Sequence, residues 1–404
     1  MKRIISLVLV LASLLTLCVF CFTGCGAINK SEVSILWSGN DKAEIPGSLI
    51  DCMERAMYIE NISYKHYGAT NNADKQLEQA KTVINAGCQI LAIELVEGST
   101  HAQEIVDLAK AKSVPVIFFN CDVEETVVNS YNKCVYIKSD VDTVTDIQGL
   151  LIADYVKANF KDIDHNADNK ITILNYDLDA ESMEKVIAKA NEILATKDYM
   201  VSRAFLGLFD KFNMTVELSD KTFDTAAVTD YEMLLVASDD VAANVLVELQ
   251  KQDYNTDKLK DQFVPILTVG ESFDYKALVI SGRPAIPENL VINENDDKKT
   301  IENKDKEIKN LDYLQSYYES KKNLVDLTAV NESDLKNMIY TTVNVIDAGR
   351  IGGTVTEDRD TIALTVAAVI RNFAKGNDAF KDISSETVVV SGSVVKVKYI
   401  TYTK

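Results

Sequence analysis

The chain is 404 residues long, 47% hydrophobic, and carries a formal net charge of −19 at pH 7. That length allows two lobes with separate cores, and so acidic a balance argues against a nucleic-acid surface. Three histidines, a CxxC found only within the apolar N-terminal run (Cys18 and Cys21), and no Cys/His cluster leave little for zinc or imidazole chemistry. Of the other five cysteines, Cys25, Cys52 and Cys88 show no paired spacing. Cys121 and Cys134 lie close enough in sequence to pair outside a cell. They are read instead, with Cys52 and Cys88, as small apolar fillers.

The chain opens with Met1-Lys2-Arg3 and an apolar run over residues 4–22. A charged start followed by such a run has the shape of a secretory signal peptide, and it is also near the length of a membrane anchor. Phe22-Thr23-Gly24-Cys25-Gly26 resembles a bacterial lipobox, in which small residues precede a lipidated cysteine; Phe22 stands where leucine is usual. Cys25 is therefore read as the lipid-carrying first residue of the mature chain. Such a chain is extracytoplasmic and held to the cell membrane by its lipid. No later apolar run is long enough to span a bilayer.

Beyond the leader the pattern alternates between strand and helix. Residues 33–37 read as a strand, 45–59 as a helix, 62–67 as a strand, and 74–86 as a helix stopped at Gly87. Residues 90–96 are apolar, 102–111 helical, and 114–119 a buried strand that breaks off at Asn120. A second series follows: a strand over 135–137, a helix over 144–160, a strand over 171–176 and a helix over 181–196. Further strands cover 234–237, ending at Ser238-Asp239-Asp240, and 264–269. Alternation of this kind implies parallel sheets, and ligands bind such sheets at the carboxyl ends of the strands. Residues 283–338 differ, and their charge-rich core reads as a solvated insertion.

The block "DKQLEQAKTVINAGCQILAIELVEGSTHAQEIVDLAKAKSVPVIFFN" resembles bacterial galactose/glucose-binding proteins, the substrate-binding subunits of sugar ABC importers. The likeness continues through "NSYNKCVYIKSDVDTVTDIQGLLIADY", resumes at "DAGRIGGTVTEDRDTIALTVAAVIRNFAKG" and ends in "VKVKYITY". It is weak at 198–230 and 283–338. It implies an α/β fold of two Rossmann-like lobes with parallel sheets, a three-strand hinge and a sugar closed between the lobes. The expected division is a signal over 1–25, a first lobe of 26–137 plus 358–391, and a second lobe of 138–357 plus 392–404.

Carried over residue by residue, the resemblance makes Asn120 a cleft asparagine and Asp179 an acceptor of sugar hydroxyls. Asp239 stands where the family has asparagine, and Asp41 is a looser match after the first strand. There are departures. Met183 replaces an arginine, Gly270 an aspartate beside Glu271, and Glu357 an asparagine. Each buried polar group left unpaired costs about 1–3 kcal/mol, so either the ligand differs or its partners come from elsewhere. For the aromatic face of a pyranose site, Phe223-Asp224-Thr225-Ala226 matches the family's letters and Phe209 its spacing. Phe209 is preferred, because residues 211–224 would supply the crossover helix that must follow it. Trp37 is a candidate second face, with core packing as the alternative.

In "DHNADNKIT", Asp164, Asn166 and Asp168 hold the first, third and fifth places of an EF-hand-like calcium loop. Lys170 offers its carbonyl and Thr172 its hydroxyl. The family has such loops in this place, with a glutamate from a distant strand edge. Glu232 is near that edge but one residue out of register, which would point it to the opposite face. The alternative is a polar turn capped by its own side chains.

A structural calcium is thus expected, and no organic cofactor. No Ser/His/Asp or Cys/His set and no GxxxxGK[ST] loop is visible, so the chain is read as a binding protein rather than an enzyme. The reading is a lipoprotein that captures a monosaccharide of galactose or glucose type and delivers it to ABC permease subunits. The alternatives are a sugar sensor presenting its ligand to a chemoreceptor or kinase, and a divergent relative with another small polar ligand.

Overall fold

The computed structural model describes residues 33–42, 48–205, 208–224, 230–255, 263–270, 297, 299–301, 304 and 352–403. The leader with Cys25, Glu271 and nearly all of the charged insertion lie outside the described residues. Among those described, no helix is long and apolar enough to cross a membrane.

The first lobe alternates as its apolar periodicity requires. In order come β1 (Val33–Trp37), α1 (Leu49–Ile59), β2 (Tyr64–Gly68), α2 (Ala73–Asn85), β3 (Ile90–Ile93), α3 (Ala102–Ala111), β4 (Val116–Phe119), α4 (Glu125–Asn129) and β5 (Cys134–Ser139). Helix α1 starts at Leu49 rather than residue 45, because the Ser48 hydroxyl caps it by accepting from Asp51 N. The strands β1, β3 and β4 are buried on both faces, and their side chains divide with a period of two. Ile117 and Phe119 join one apolar cluster with α1, while Val116 and Phe118 join the other with α2 and α3. Cys52, Cys88, Cys121 and Cys134 are free, in keeping with their reading as fillers.

The second lobe holds α5 (Val144–Ile163), β6 (Lys170–Tyr176), α6 (Ala180–Leu194), β7 (Val201–Phe205), β8 (Leu208–Phe212), β9 (Thr215–Leu218), β10 (Met233–Val236), α7 (Asp239–Lys251), β11 (Ile266–Val269) and β12 (Gly353–Thr356). After it, α8 (Arg359–Ala374), β13 (Val388–Ser391) and β14 (Val394–Val397) return to the first lobe, and β15 (Ile400–Thr403) ends the chain in the second. The first sheet has the order β13-β14-β5-β4-β3-β1-β2, and the second β15-β12-β11-β10-β6-β9. Both are parallel except for β13 against β14 and β15 against β12.

Two expectations fail here. The helix expected over 211–224 is replaced by the end of β8 and by β9, which pairs in parallel with β6 from Lys170↔Thr215 to Ile173↔Leu218. Met214 and Val216 are buried while Thr215 and Glu217 are exposed; that is the period of a strand, not of a helix. The lobe boundary at 391/392 also moves, because β14 pairs with β5 from Val394↔Tyr136 to Val397↔Ser139. The last crossing therefore follows Val397.

The chain crosses between sheets after β5, after β12 and after β14, and side chains tie these crossings together. Lys396 Nζ lies 3.1 Å from Asp140 Oδ1 and 3.0 Å from Asp142 Oδ2. Its hydrogen bonds to Asp142 and Asp140 raise its pKa, and the same contact lowers that of Asp142. Asp140 N donates to Val397 O at 2.7 Å, and the Ser139 hydroxyl donates to Glu357 Oε1.

Helices α5 and α6 approach closely at Gly149, where an added Cβ would stand 2.7 Å from Lys189 Cβ and 3.1 Å from Ala190 N. Gly149→Ala should therefore cost about 1–3 kcal/mol through overpacking. Chemical unfolding of the variant beside the parent checks this; equal stability would mean that the helices separate freely.

Candidate functional site

Strands without a polar face must place their polar residues at their ends. At the carboxyl edge of the first sheet these ends meet. Ser38 follows β1, Glu94 follows β3 and Asn120 follows β4, on strands adjacent in the sheet. Asn120 Nδ2 donates to Glu94 Oε1 at 2.7 Å. Glu94 Oε2 accepts from Ser38 Oγ at 2.7 Å and from Ser38 N at 3.2 Å. Asn120 keeps its backbone on the ladder by donating from N to Ile137 O at 3.2 Å. Its φ of 46° turns the chain sharply out of the strand, a conformation that asparagine tolerates better than most residues. With its amide nitrogen held by Glu94, Asn120 has a fixed orientation and leaves its carbonyl oxygen to accept.

Ser38 and Asn120, both held by Glu94, line a depression of about 420 Å³ together with Glu97, Asp122, Tyr136, Lys138, Ser139 and Glu357. The volume is within the range of small-molecule sites. Glu357 reaches it from the crossing after β12, and Ser139 is the last residue of β5, where the first crossing begins. Lys138 Nζ sits 5.2 Å from the Tyr136 ring centroid, and the Tyr136 hydroxyl donates to Cys121 O. Burial pushes the Cys121 thiol up to about 12, so it is no nucleophile at neutral pH.

Asn120 and Glu357 thus meet at one depression. Glu94, which the sequence reading missed, orders its floor; its signal was the single charge within the apolar run 90–96. Trp37 is not in the depression. It is 2% exposed and meets Phe119 edge-on at 5.2 Å within the core. Asp41 lies on the other side of β1, against β2: a Cβ on Gly68 would stand 2.8 Å from Asp41 N.

The matching family model, described as a periplasmic binding protein domain, covers residues 50–272. The chain belongs to the periplasmic binding protein family. A relative from Haemophilus influenzae, the D-galactose/methyl-galactoside binding periplasmic protein MglB, is 30% identical over 200 residues. That match spans 48% of this chain and 59% of the relative's length. Two solved structures are also similar. One is an ABC transporter, LacI family transcriptional regulator from Brachyspira murdochii, at 13% identity and a TM-score of 0.44, covering 93% of this chain and 95% of that one. The other is an ABC transporter periplasmic solute binding protein from Actinobacillus succinogenes with bound D-allose, at 9% identity and a TM-score of 0.44, covering 93% and 98%.

Seen as a periplasmic binding protein, the second lobe departs from the expected site. Asp179 caps α6: its Oδ1 accepts from Ser182 N at 2.8 Å, and hydrogen bonding from the Ser182 side chain, then from its backbone N–H, draws the carboxyl below the usual range. Met183, in place of the expected arginine, is fully buried in the α5–α6 core, so that position faces the interior. Asp239 opens α7, whose cap is the Ser238 hydroxyl accepting from Val241 N. Phe209 lies in β8, which among the described residues pairs only with β7, and not at a carboxyl edge of the main sheet. Phe223 lies in the segment after β9, 5.3 Å and edge-on to Tyr176 at the end of β6. The crossover helix on which the preference for Phe209 rested is thus absent.

The loop after α5 does not fit calcium as built. The ion takes about 6–8 oxygen ligands. Here Asp164 Oδ2 is engaged by Arg203 Nη2 at 2.6 Å. Asn166 Oδ1 accepts from Asp168 N at 2.9 Å, and Asp168 Oδ1 from Lys170 N at 2.8 Å. Glu232 does reach the loop, against the register expectation, because it precedes β10 and escapes the strand's alternation. Its Oε1 accepts from His165 N at 3.1 Å and its Oε2 from Thr172 N at 3.0 Å. Burial raises its carboxyl pKa. Among the described residues, no group of three or more His, Cys, Asp and Glu side chains is placed to hold a metal ion.

The Asp179 cap makes a pH prediction. Its folded pKa is depressed, so the stability it supplies is present above the unfolded carboxyl pKa and is lost as pH falls through the folded one. Asp179→Ala should have a lower melting temperature than the parent at pH 7, with the gap closing in acid. Melting curves from pH 7 to 2 check this; a gap independent of pH would remove the cap from the account.

Proposed function

We propose that the chain is the substrate-binding lipoprotein of an ABC importer, anchored through Cys25. In this reading it captures a monosaccharide of galactose or glucose type and passes it to membrane permease subunits. The observation that carries the reading is the Ser38–Glu94–Asn120 array at the carboxyl edge of the first sheet, beside Glu357 and Ser139 at the crossings. Sugar hydroxyls both donate and accept. The Asn120 carbonyl takes one donated proton, and the Glu357 carboxylate takes others through stronger, charge-assisted bonds. A ligand touching both lobes and their crossings binds the closed form more tightly than the open one, which is what drives closure. Phe223, paired with Tyr176, supplies the apolar face from the second lobe.

A second reading rests on the charges. Glu97, Asp122 and Glu357 line the depression with one lysine, Lys138, and Glu357 stands where the related sugar sites have an amide. That balance suits a ligand bearing a positive charge, such as an amino sugar.

A melting-temperature screen of neutral and amino monosaccharides separates the two readings, since a ligand bound only by the folded state raises the midpoint by mass action. Neutral hexoses should shift it if the first reading holds, and amino sugars alone if the second does. Stabilisation by neither class would overturn both. With the hit in hand, Asn120→Ala should lose about 1–2 kcal/mol, roughly 5- to 30-fold in affinity. Phe223→Ala should weaken binding and Phe209→Ala should not. Calorimetry on the three variants checks the ranking.

A further inference from the structure

The loop between α5 and β6 has the winding of an ion-binding loop without its ion. Ala167 and Asn169 adopt φ of 61° and 67°, which brings Asp164, the Ala167 carbonyl and Asn169 around one point. That point is filled from outside the loop. Strand β7 of the β7–β8 hairpin presents Arg203. Its Nη2 lies 2.6 Å from Asp164 Oδ2, and its Nη1 lies 3.4 Å from Asn169 Oδ1 and 3.5 Å from Ala167 O.

The guanidinium is held from behind as well. Its carbon lies 5.8 Å from the Phe160 ring centroid and 5.5 Å from that of Phe212, and those rings meet edge-on at 6.0 Å. Helix α5, which leads into the loop, supplies one ring, and β8 of the hairpin supplies the other, so both sides orient the arginine. A planar cation between aromatic rings is favourably placed. Its partner needs it, because the Asp164 side chain has no solvent exposure and its Oδ1 is buried without a hydrogen-bond partner. A buried carboxylate stays ionised only with a cation beside it.

We infer that Arg203 is a tethered cation that replaces a divalent metal in this loop, and that the β7–β8 hairpin is the device that delivers it. An ion at coordination distance from Asp164 Oδ2 would stand against the guanidinium, and its charge would be repelled. The second lobe is therefore closed to calcium and independent of it. The converse follows from the same geometry. Without the guanidinium, Asp164 Oδ2, the Ala167 carbonyl and Asn169 Oδ1 lose their cation and are open to a divalent one.

The test uses the purified full chain. For the parent, the melting temperature should be the same in millimolar calcium and in EGTA, and calorimetry should detect no saturable calcium site. Arg203→Met keeps the stem between Phe160 and Phe212 and removes the charge. It should melt roughly 6–12 °C lower in EGTA and recover in calcium. A saturable calcium site in the parent would overturn the inference, as would an Arg203→Met variant as stable as the parent in EGTA. Should Arg203→Met fail to fold in either condition, the Arg203→Met, Asp164→Asn double variant decides. Removing both charges should restore folding, and a double variant that also fails would reject the pairing of these two charges.

Discussion

Strands β3 and β4 are covered on both faces, and this constraint arranges the rest of the first lobe. A strand of this kind has no exposed face on which to place a polar side chain. Whatever recognises a ligand must stand where the strand stops, at Glu94 and Asn120. Parallel pairing then gathers those stops along one edge, because adjacent strands end on the same side of the sheet. The Glu94 carboxylate turns proximity into order. It accepts from Ser38 on one side and from Asn120 on the other, so three loops share one rigid polar floor.

The crossings extend this logic from one sheet to two. Each leaves a strand at the edge where the floor lies, which is why Ser139 and Glu357 border the depression without belonging to it by sequence proximity. Lys396 bonded to Asp140 and Asp142 joins the last crossing to the first. The Lys396–Asp140 pair there is only partly exposed, so added salt screens it less than a surface pair.

Much of this was legible in the residues. The apolar runs of the first lobe marked its strands, and the abrupt end at Asn120 marked the carboxyl edge of the sheet. The harder parts share a physical cause: short elements whose partners are distant in sequence. Strand β9 shows its period over only a few residues, and the preference for Phe209 over Phe223 rested on missing it. Glu232 sits just outside a strand, where alternation no longer applies. Asp179 and Met183 matched or broke a family pattern by letter, yet a helix cap and a core position decide what they do here. Arg203 lies in a stretch with little family likeness, and only the folded hairpin brings it to a loop nearly forty residues earlier. The positions that depend on strand ends were readable; those that depend on which element packs on which were not.

Trp37 is the chain's only tryptophan, and its burial against Phe119 gives the molecule a single indole emitter. The indole sits beneath the floor of the depression, two strand intervals from β4, which Asn120 follows, and has no counterpart in the second sheet. Its ultraviolet emission is therefore blue-shifted in the folded state and reports on the first sheet alone. Loss of structure in the second lobe is silent in that signal and visible in circular dichroism. The two spectra together resolve which lobe melts first, without a label or a mutation.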